Sequence, residues 1–206
     1  MLVVENGSTD RTFEIAQKFI GQHKNLRVVR VEGRGKGLAV QHGMLEAHGQ
    51  YRLMCDADLS MPIEEVANFL SPHVTDFDIA IASREAPGAT RYDEPFFRHI
   101  GGRIINLLIR LLILPGLQDT QCGFKCFRAE AADDLFTRQT LMGWSFDIEL
   151  LFIARRHGYR IVEVPIDWYY RSESKVNALR DAIRMIQDIF LIHSNARRGL
   201  YDAYRS

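Results

Sequence analysis

Leu53-Met54-Cys55-Asp56-Ala57-Asp58-Leu59-Ser60 ends a short apolar run in two carboxylates separated by one small residue. If Tyr51 to Cys55 is a buried strand, Asp56 and Asp58 emerge together at its carboxyl end and can share a hard cation. Mg2+ and Mn2+ favour oxygen ligands, and Mg2+ is commonly held by one or two carboxylates plus substrate phosphates. On its own an Asp-x-Asp pair is more often a turn with two solvated acids. What lies on either side decides between the readings.

Upstream, Met1 to Val4 reads as a strand, and Glu5-Asn6-Gly7-Ser8-Thr9-Asp10 as a turn that opens a helix carrying Phe13, Ala16, Phe19 and Ile20 at helical spacing. Leu26 to Val31 is a second strand. The loop Glu32-Gly33-Arg34-Gly35-Lys36-Gly37 follows, then a helix from Leu38 to Ala47. Downstream, Pro62 starts a helix through Leu70, and Asp78 to Ala82 is a further strand ending in Ser83-Arg84. Strands alternating with helices imply right-handed crossovers and a mostly parallel sheet. Ligands of open sheets of this type bind beyond the carboxyl ends of the strands. The turn at Glu5 to Asp10, the glycine loop, Asp56/Asp58 and Ser83-Arg84 all fall at such ends.

The 206 residues are 47% hydrophobic and 25% charged, with 26 basic and 26 acidic side chains. That is enough for one core, and the absence of net charge argues against nucleic acid as a partner. Three cysteines (Cys55, Cys122, Cys126) fit a reducing compartment better than a disulfide framework. Cys122-x-x-x-Cys126 lacks a second pair of zinc-ligand spacing.

The second half reads differently. Glu85 to Pro95 is a loop with glycine, proline and charge but no periodicity. Phe96 to Leu114 is apolar with interspersed Arg98, Arg103 and Arg110, a core helix or one lying at an interface. Asp119 to Arg128 is a turn entering a strand. Trp144 to Leu150 opens a helix stopped by Gly158, and Ile161 to Ile166 is a strand with Pro165 at its edge or end. From Asn177 to His193 a last helix places Ala178, Ala182, Met185, Ile186, Ile189 and Phe190 on one face, for core packing or for docking on a membrane surface beside Arg197-Arg198.

A nucleotide-sugar enzyme must neutralise a departing diphosphate, and a cation held by carboxylates, backbone N–H groups of a glycine loop and a lysine do this. Glu5-Asn6-Gly7-Ser8-Thr9-Asp10-Arg11-Thr12 resembles the Asp-Asp-Gly-Ser-x-Asp-x-Thr segment of inverting family-two glycosyltransferases with the GT-A fold. Arg34-Gly35-Lys36-Gly37-Leu38-Ala39 and Asp56-Ala57-Asp58-Leu59 follow in that family's order. Asp119-Thr120-Gln121-Cys122-Gly123-Phe124-Lys125, Trp144-Ser145-Phe146-Asp147-Ile148-Glu149-Leu150-Leu151, Glu163-Val164-Pro165-Ile166-Asp167-Trp168 and the later Ser174-Lys175 resemble the polyprenyl- or dolichyl-phosphate branch, above all dolichyl-phosphate β-glucosyltransferases.

The resemblance implies an α/β GT-A fold, with a mostly parallel central sheet flanked by helices. It divides the chain into a transferase domain at 1–175 and an amphipathic helix with basic tail at 176–206. It implies a hexose moved from UDP-glucose or GDP-mannose to a polyprenyl or dolichyl phosphate, with Mg2+ or Mn2+, by an enzyme peripheral to the cytoplasmic face of a membrane. Glu5, Asn6, Asp10, Lys36 and Asp56 are then expected at the nucleotide sugar, and Asp58 with Asp56 at the metal. Ser60 stands where some relatives place a glutamine ligand. Asp147 matches the family's general base. A lipid phosphate is already mostly anionic at neutral pH, so Asp147 would then orient or balance charge; alternatively it only answers the helix dipole. Asp119 is a site residue or a turn former. Arg84, Arg98 and Arg103 are candidates for the acceptor phosphate, or solvated arginines. The family's opening strand, ending in Pro-x-Tyr-Asn-Glu or similar, has no counterpart here, which leads to the expectation of an N-terminally truncated sheet. A transferase acting on a polysaccharide or glycan, and an inactive truncated fragment, are the rival readings.

Overall fold

The computed structural model describes residues 1–171 and 178–202, without the side chains of 96–100, 178, 179 and 181. Ser174 and Lys175, and the side chain of Arg98, lie outside the described residues. The order is β1 (Leu2–Asn6), α1 (Thr12–Ile20), β2 (Arg27–Val31), α2 (Lys36–Glu46), β3 (Tyr51–Cys55), a 3-10 segment (Ile63–Phe69), β4 (Ile79–Ser83), β5 (Thr90–Tyr92), α3 (Phe96–Leu112), β6 (Phe124–Arg128), α4 (Ala129–Arg138), α5 (Phe146–Arg156), β7 (Ile161–Pro165), β8 (Asp167–Tyr169) and α6 (Ala178–Arg197).

Strand and helix alternate through the first half as the sequence predicts, with a 3-10 segment where a helix from Pro62 to Leu70 was expected, while α4 and β8 had no counterpart in that reading; β1 pairs with β2, β4 with β7 and β5 with β8 in parallel. The four-stranded sheet, ordered β3-β6-β4-β7, is nevertheless mixed, because β6 runs antiparallel to both β3 and β4. The reason is where the chain re-enters. It returns to the sheet at the carboxyl end of β3, where the Asp56 N–H donates to the Gly123 carbonyl (2.9 Å), and from there it can only run backwards. This antiparallel entry brings the segment 119–123 to the same sheet edge as Asp56.

Every residue of β4 is buried, as befits a strand covered on both faces. One face carries Met54, Ile79, Ile81 and Phe127 against α4, α5 and α6, a cluster that also takes in Ile189, Ile192 and Tyr201. The other carries Ala80, Ala82, Phe124, Cys126 and Val164 against Phe69 and Phe77. The buried side of α6 is therefore rotated from the expected stripe. Ile189 and Ile192 face inward, whereas Phe190 is 71% exposed and Ile183 and Ile186 point outward.

Glu85 to Pro95, expected as an unstructured loop, contains β5. Arg91 holds it by ion pairs to Glu85 (2.5 Å) and Glu94 (2.7 Å), and Tyr92 stacks on Tyr169 at 4.6 Å between ring centroids. Charge alternation in a short segment hid a strand too brief to show a period. Among the described residues no helix is long and apolar enough to cross a membrane.

Candidate active site

At the carboxyl end of β3 a cleft is lined by Cys55, Asp56, Asp58, Ser60, Met61, Cys122, Gly123, Phe124 and Trp168. Asp58 is exposed, and its Oδ1 accepts the Ser60 N–H (2.9 Å), which shapes the turn through Leu59 at φ 57°. Asp56 lies deeper. Its Oδ2 accepts a hydrogen bond from Lys36 Nζ at 2.7 Å. Gly123 makes this possible, because a Cβ there would stand 1.9 Å from Asp56 Oδ2.

Beneath that pair lie two more. Lys125 Nζ donates to Asp147 Oδ1 (2.6 Å) and to the Cys122 carbonyl (2.6 Å). Arg84 grips Asp119 with Nε to Oδ2 (2.6 Å) and Nη2 to Oδ1 (2.9 Å), while its backbone N–H also donates to Oδ2 (3.0 Å). The result is a row of three cation–carboxylate pairs, Lys36–Asp56, Lys125–Asp147 and Arg84–Asp119, coupled through space.

Burial and charge pull these groups in opposite directions. Burial disfavours the charged form of Asp119, but Arg84 outweighs it and the carboxyl pKa lies below the ordinary value. For Asp147 burial wins over Lys125 and Lys36, and its pKa is raised. Burial opposes the charge on Lys36, yet Asp147 and Asp56 lift its pKa above the usual lysine value. Cys122 is a buried thiol pushed up to about 12, mainly by burial, and is no nucleophile.

The structure thus brings Lys36, Asp56, Asp58, Asp119, Asp147 and Arg84 to one edge. Asn6 joins from β1, its Nδ2 donating to the Gly35 carbonyl at 2.7 Å. Glu5 turns to Ser8 and Arg30, and Asp10 bonds Thr12 at the start of α1. Arg103 is exposed on α3.

Two expectations need revision. Arg84 spends one edge of its guanidinium on Asp119, which makes it first a clamp between β4 and the 119–123 segment. The glycine loop does not offer all its N–H groups to a phosphate. Those of Gly37 and Leu38 donate to the Gly143 and Met142 carbonyls (both 3.2 Å). Gly35 (φ 141°) lies so close to Met142 that a Cβ would approach its carbonyl to 2.1 Å. The glycines serve to bring Lys36 in against the loop before α5, and Lys36 sits 5.4 Å from the Trp144 ring centroid.

Three participants stand within the quoted motifs but were given no role there. Glu163 accepts the N–H groups of Gln118 and Asp119 (2.9–3.0 Å) and fixes the approach to β6. Glu149, buried, holds the 140–141 backbone and the Tyr201 hydroxyl. Lys125, the last residue of the quoted 119–125 motif, is also a charge among Phe124, Cys126 and Phe127.

The family model described as "Glycosyl transferase family 2" matches residues 1–136. The chain belongs to glycosyl transferase family 2. A dolichyl-phosphate beta-glucosyltransferase of Drosophila melanogaster is 36% identical over 205 residues, 93% of this chain and 62% of its own length. The enzyme of the same name from Homo sapiens is 32% identical over 211 residues, 98% of this chain and 65% of its own length. The chain thus spans a little over three-fifths of these curated relatives. Among solved structures, glucosyl-3-phosphoglycerate synthase from Mycobacterium tuberculosis with Mg2+ and uridine-diphosphate superposes with a TM-score of 0.64 at 21% identity, over 96% of this chain and 68% of that one. Its complex with Mn2+, uridine-diphosphate-glucose and phosphoglyceric acid gives a TM-score of 0.66 at 19% identity, over 92% of this chain and 67% of that one. The likeness shows that this family-two chain has the GT-A fold.

Proposed function

We propose that this chain is the catalytic domain of an inverting hexosyltransferase that moves glucose or mannose from UDP-glucose or GDP-mannose to a polyprenyl or dolichyl phosphate. The observation that carries the reading is the exposed Asp58 above the row of three ion pairs, at the strand ends where Asn6, Lys36 and Asp56 meet. In this reading a lipid phosphate oxygen attacks the anomeric carbon, and the bond from that carbon to the diphosphate oxygen breaks with its electrons leaving on the nucleotide. Asn6 and Lys36 contact the nucleotide diphosphate. Asp147 orients the acceptor or balances its charge.

Asp56 and Asp58 are oxygen donors on one cleft, and Gly123 leaves Asp56 the room of a missing Cβ; this donor set fits Mg2+ or Mn2+. Among the described residues no cluster of three or more ligating side chains surrounds them, so a bound cation would complete its shell with substrate phosphate oxygens or water. The cation supplies Lewis-acid charge to the departing diphosphate. Lys36 competes for the same Asp56 oxygen. Lys36→Met is expected to tighten Mn2+ binding to the nucleotide-free protein about tenfold, equivalent to ~1.4 kcal/mol, and to weaken UDP binding. Calorimetric titrations of each ligand check both signs.

The acceptor reading draws support from an exposed apolar face. Leu107, Leu108 and Leu111 of α3 and Ile183, Ile186 and Phe190 of α6 stand in solvent, with Arg103, Arg110 and Arg184 beside them. Such a face suits a membrane surface, with the enzyme peripheral at the cytoplasmic side and Arg84, Arg98 and Arg103 kept as the candidates for the acceptor phosphate. The test is incubation of the chain with each labelled nucleotide sugar, Mg2+ and dolichyl phosphate in mixed micelles. Lipid-phosphate hexose is the expected product. Efficient transfer to a free sugar or glycan, with none to lipid phosphate, would overturn the reading.

A further inference from the structure

In β6, Phe124 and Cys126 face one apolar cluster, and Lys125 alternates with Phe127 toward the other. Lys125 sits in register with Met54 on β3 and Ile81 on β4, both buried. The pattern calls for an apolar side chain at this position. Instead an ammonium 1% exposed is driven into the layer beneath α5. Taking a charge out of water costs several kcal/mol even when paired, and a well-packed hydrophobic replacement is often neutral or stabilising. Fold stability is therefore a weak reason for a lysine here.

The contacts of Lys125 supply a better one. Its Nζ has two acceptors, the Cys122 carbonyl on the cleft wall and Asp147 Oδ1 in the first turn of α5. Asp147 is itself 3% exposed, and its other charged neighbours are Lys36 and Asp56 of the cleft. We infer that Lys125 is a positioning residue. By holding Oδ1 it fixes the Asp147 carboxylate in one orientation and keeps it anionic, tied to the cleft wall at Cys122.

The groups facing Asp147 come from every element around it. Lys36 is from α2, Lys125 from β6 and Asp56 from the end of β3, with Arg84 and Asp119 one pair further on. Glu149, on the same helix, is committed to Thr140, Leu141 and Tyr201. Lys36 is hydrogen-bonded to Asp56, so the removal of Lys125 leaves the buried Asp147 only the through-space charge of a lysine it shares.

This inference rests on the proposed role of Asp147, and its test separates the two. A carboxyl-13C NMR titration of the full chain, with Asp147→Asn as the assignment blank, follows the Asp147 midpoint without any turnover. Lys125→Met is expected to raise that midpoint by more than about one pH unit, and Lys125→Arg to restore it to within about half a unit. In the transferase assay Lys125→Met is expected to lower kcat at least about tenfold with donor KM held within about twofold. Lys125→Arg recovers most of the loss. Added to Asp147→Asn, Lys125→Met has little further effect. An Asp147 midpoint unchanged in Lys125→Met overturns the proposal whatever the activity. A shifted midpoint without loss of kcat upholds the charge coupling and overturns the assignment of Asp147. If Lys125→Met does not fold, Lys125→Gln is read by the same titration against the same outcomes.

Discussion

Asp119→Ala is expected to destabilise the fold by about 3–5 kcal/mol, the range for breaking a buried ion pair from one side. Asp119 is fully buried, and its two carboxylate oxygens accept from the Arg84 guanidinium and from the Arg84 backbone N–H. Its removal strands a guanidinium that is mostly enclosed and frees the 119–123 segment from β4. Against a usual total of about 5–15 kcal/mol this is a large fraction. Urea denaturation followed by circular dichroism measures it. The double variant Arg84→Met with Asp119→Leu is expected to recover most of the loss, since the uncompensated charge goes with its partner. The same pair predicts acid sensitivity. The folded pKa of Asp119 is depressed. Its contribution is therefore complete above the unfolded value of about 3.9 and is lost as pH falls through the lower folded value. Wild type should lose stability over that acid window more steeply than the double variant, and parallel curves would count against the pair.

The same pair shows why the sequence was only partly legible. Asp119 could be read as a turn former and Arg84 as a phosphate ligand, since each residue type does both. Only the antiparallel entry of β6 reveals that they are partners. Nothing in local sequence encodes that entry, because it depends on where the chain comes back after β5 and α3. The parallel unit β1–α1–β2 was legible because apolar runs and turn residues carry a period, whereas the sequence marked β4 and β7 as strands without pairing them. Asp56, Asp58 and Lys36 could be placed at one edge for the same reason, each falling at the end of a regular element.

The glycine loop was legible only in part, for a related reason. A Gly-x-Lys-Gly sequence fits a phosphate cradle and a close backbone contact equally well. Here Gly35 and Gly37 are required by the 141–143 segment, about a hundred residues away, and the N–H groups of Gly37 and Leu38 go to that segment. The practical effect is to deliver Lys36, whose Nζ links α2 to Asp56. Lys125 was the opposite case. A charge flanked by Phe124, Cys126 and Phe127 is a local signal, and the need of a buried ammonium for a partner was available from the residue type alone.

Asp58→Asn is expected to abolish cation-dependent turnover, with kcat reduced by about a thousandfold or more if the Lewis-acid contribution is worth several kcal/mol. The substitution is chosen because the turn tolerates it. Asp58 Oδ1 accepts the Ser60 N–H, and the amide oxygen of asparagine accepts the same bond, so the Leu59 conformation is retained. Asp58 is exposed, and the change of charge alone should leave the unfolding midpoint within about 0.5 kcal/mol of wild type. What it removes is the carboxylate not already engaged by a lysine. Asp56 cannot take over, because Lys36 holds its Oδ2. Mn2+ titration should therefore fail in Asp58→Asn, while UDP without cation still binds through Asn6 and Lys36. Adding Lys36→Met to Asp58→Asn should not restore Mn2+ binding, because one carboxylate is then left to do the work of two. Undiminished turnover in Asp58→Asn would remove the cation from Asp58 and leave Lys36 as the sole neutraliser of the departing diphosphate.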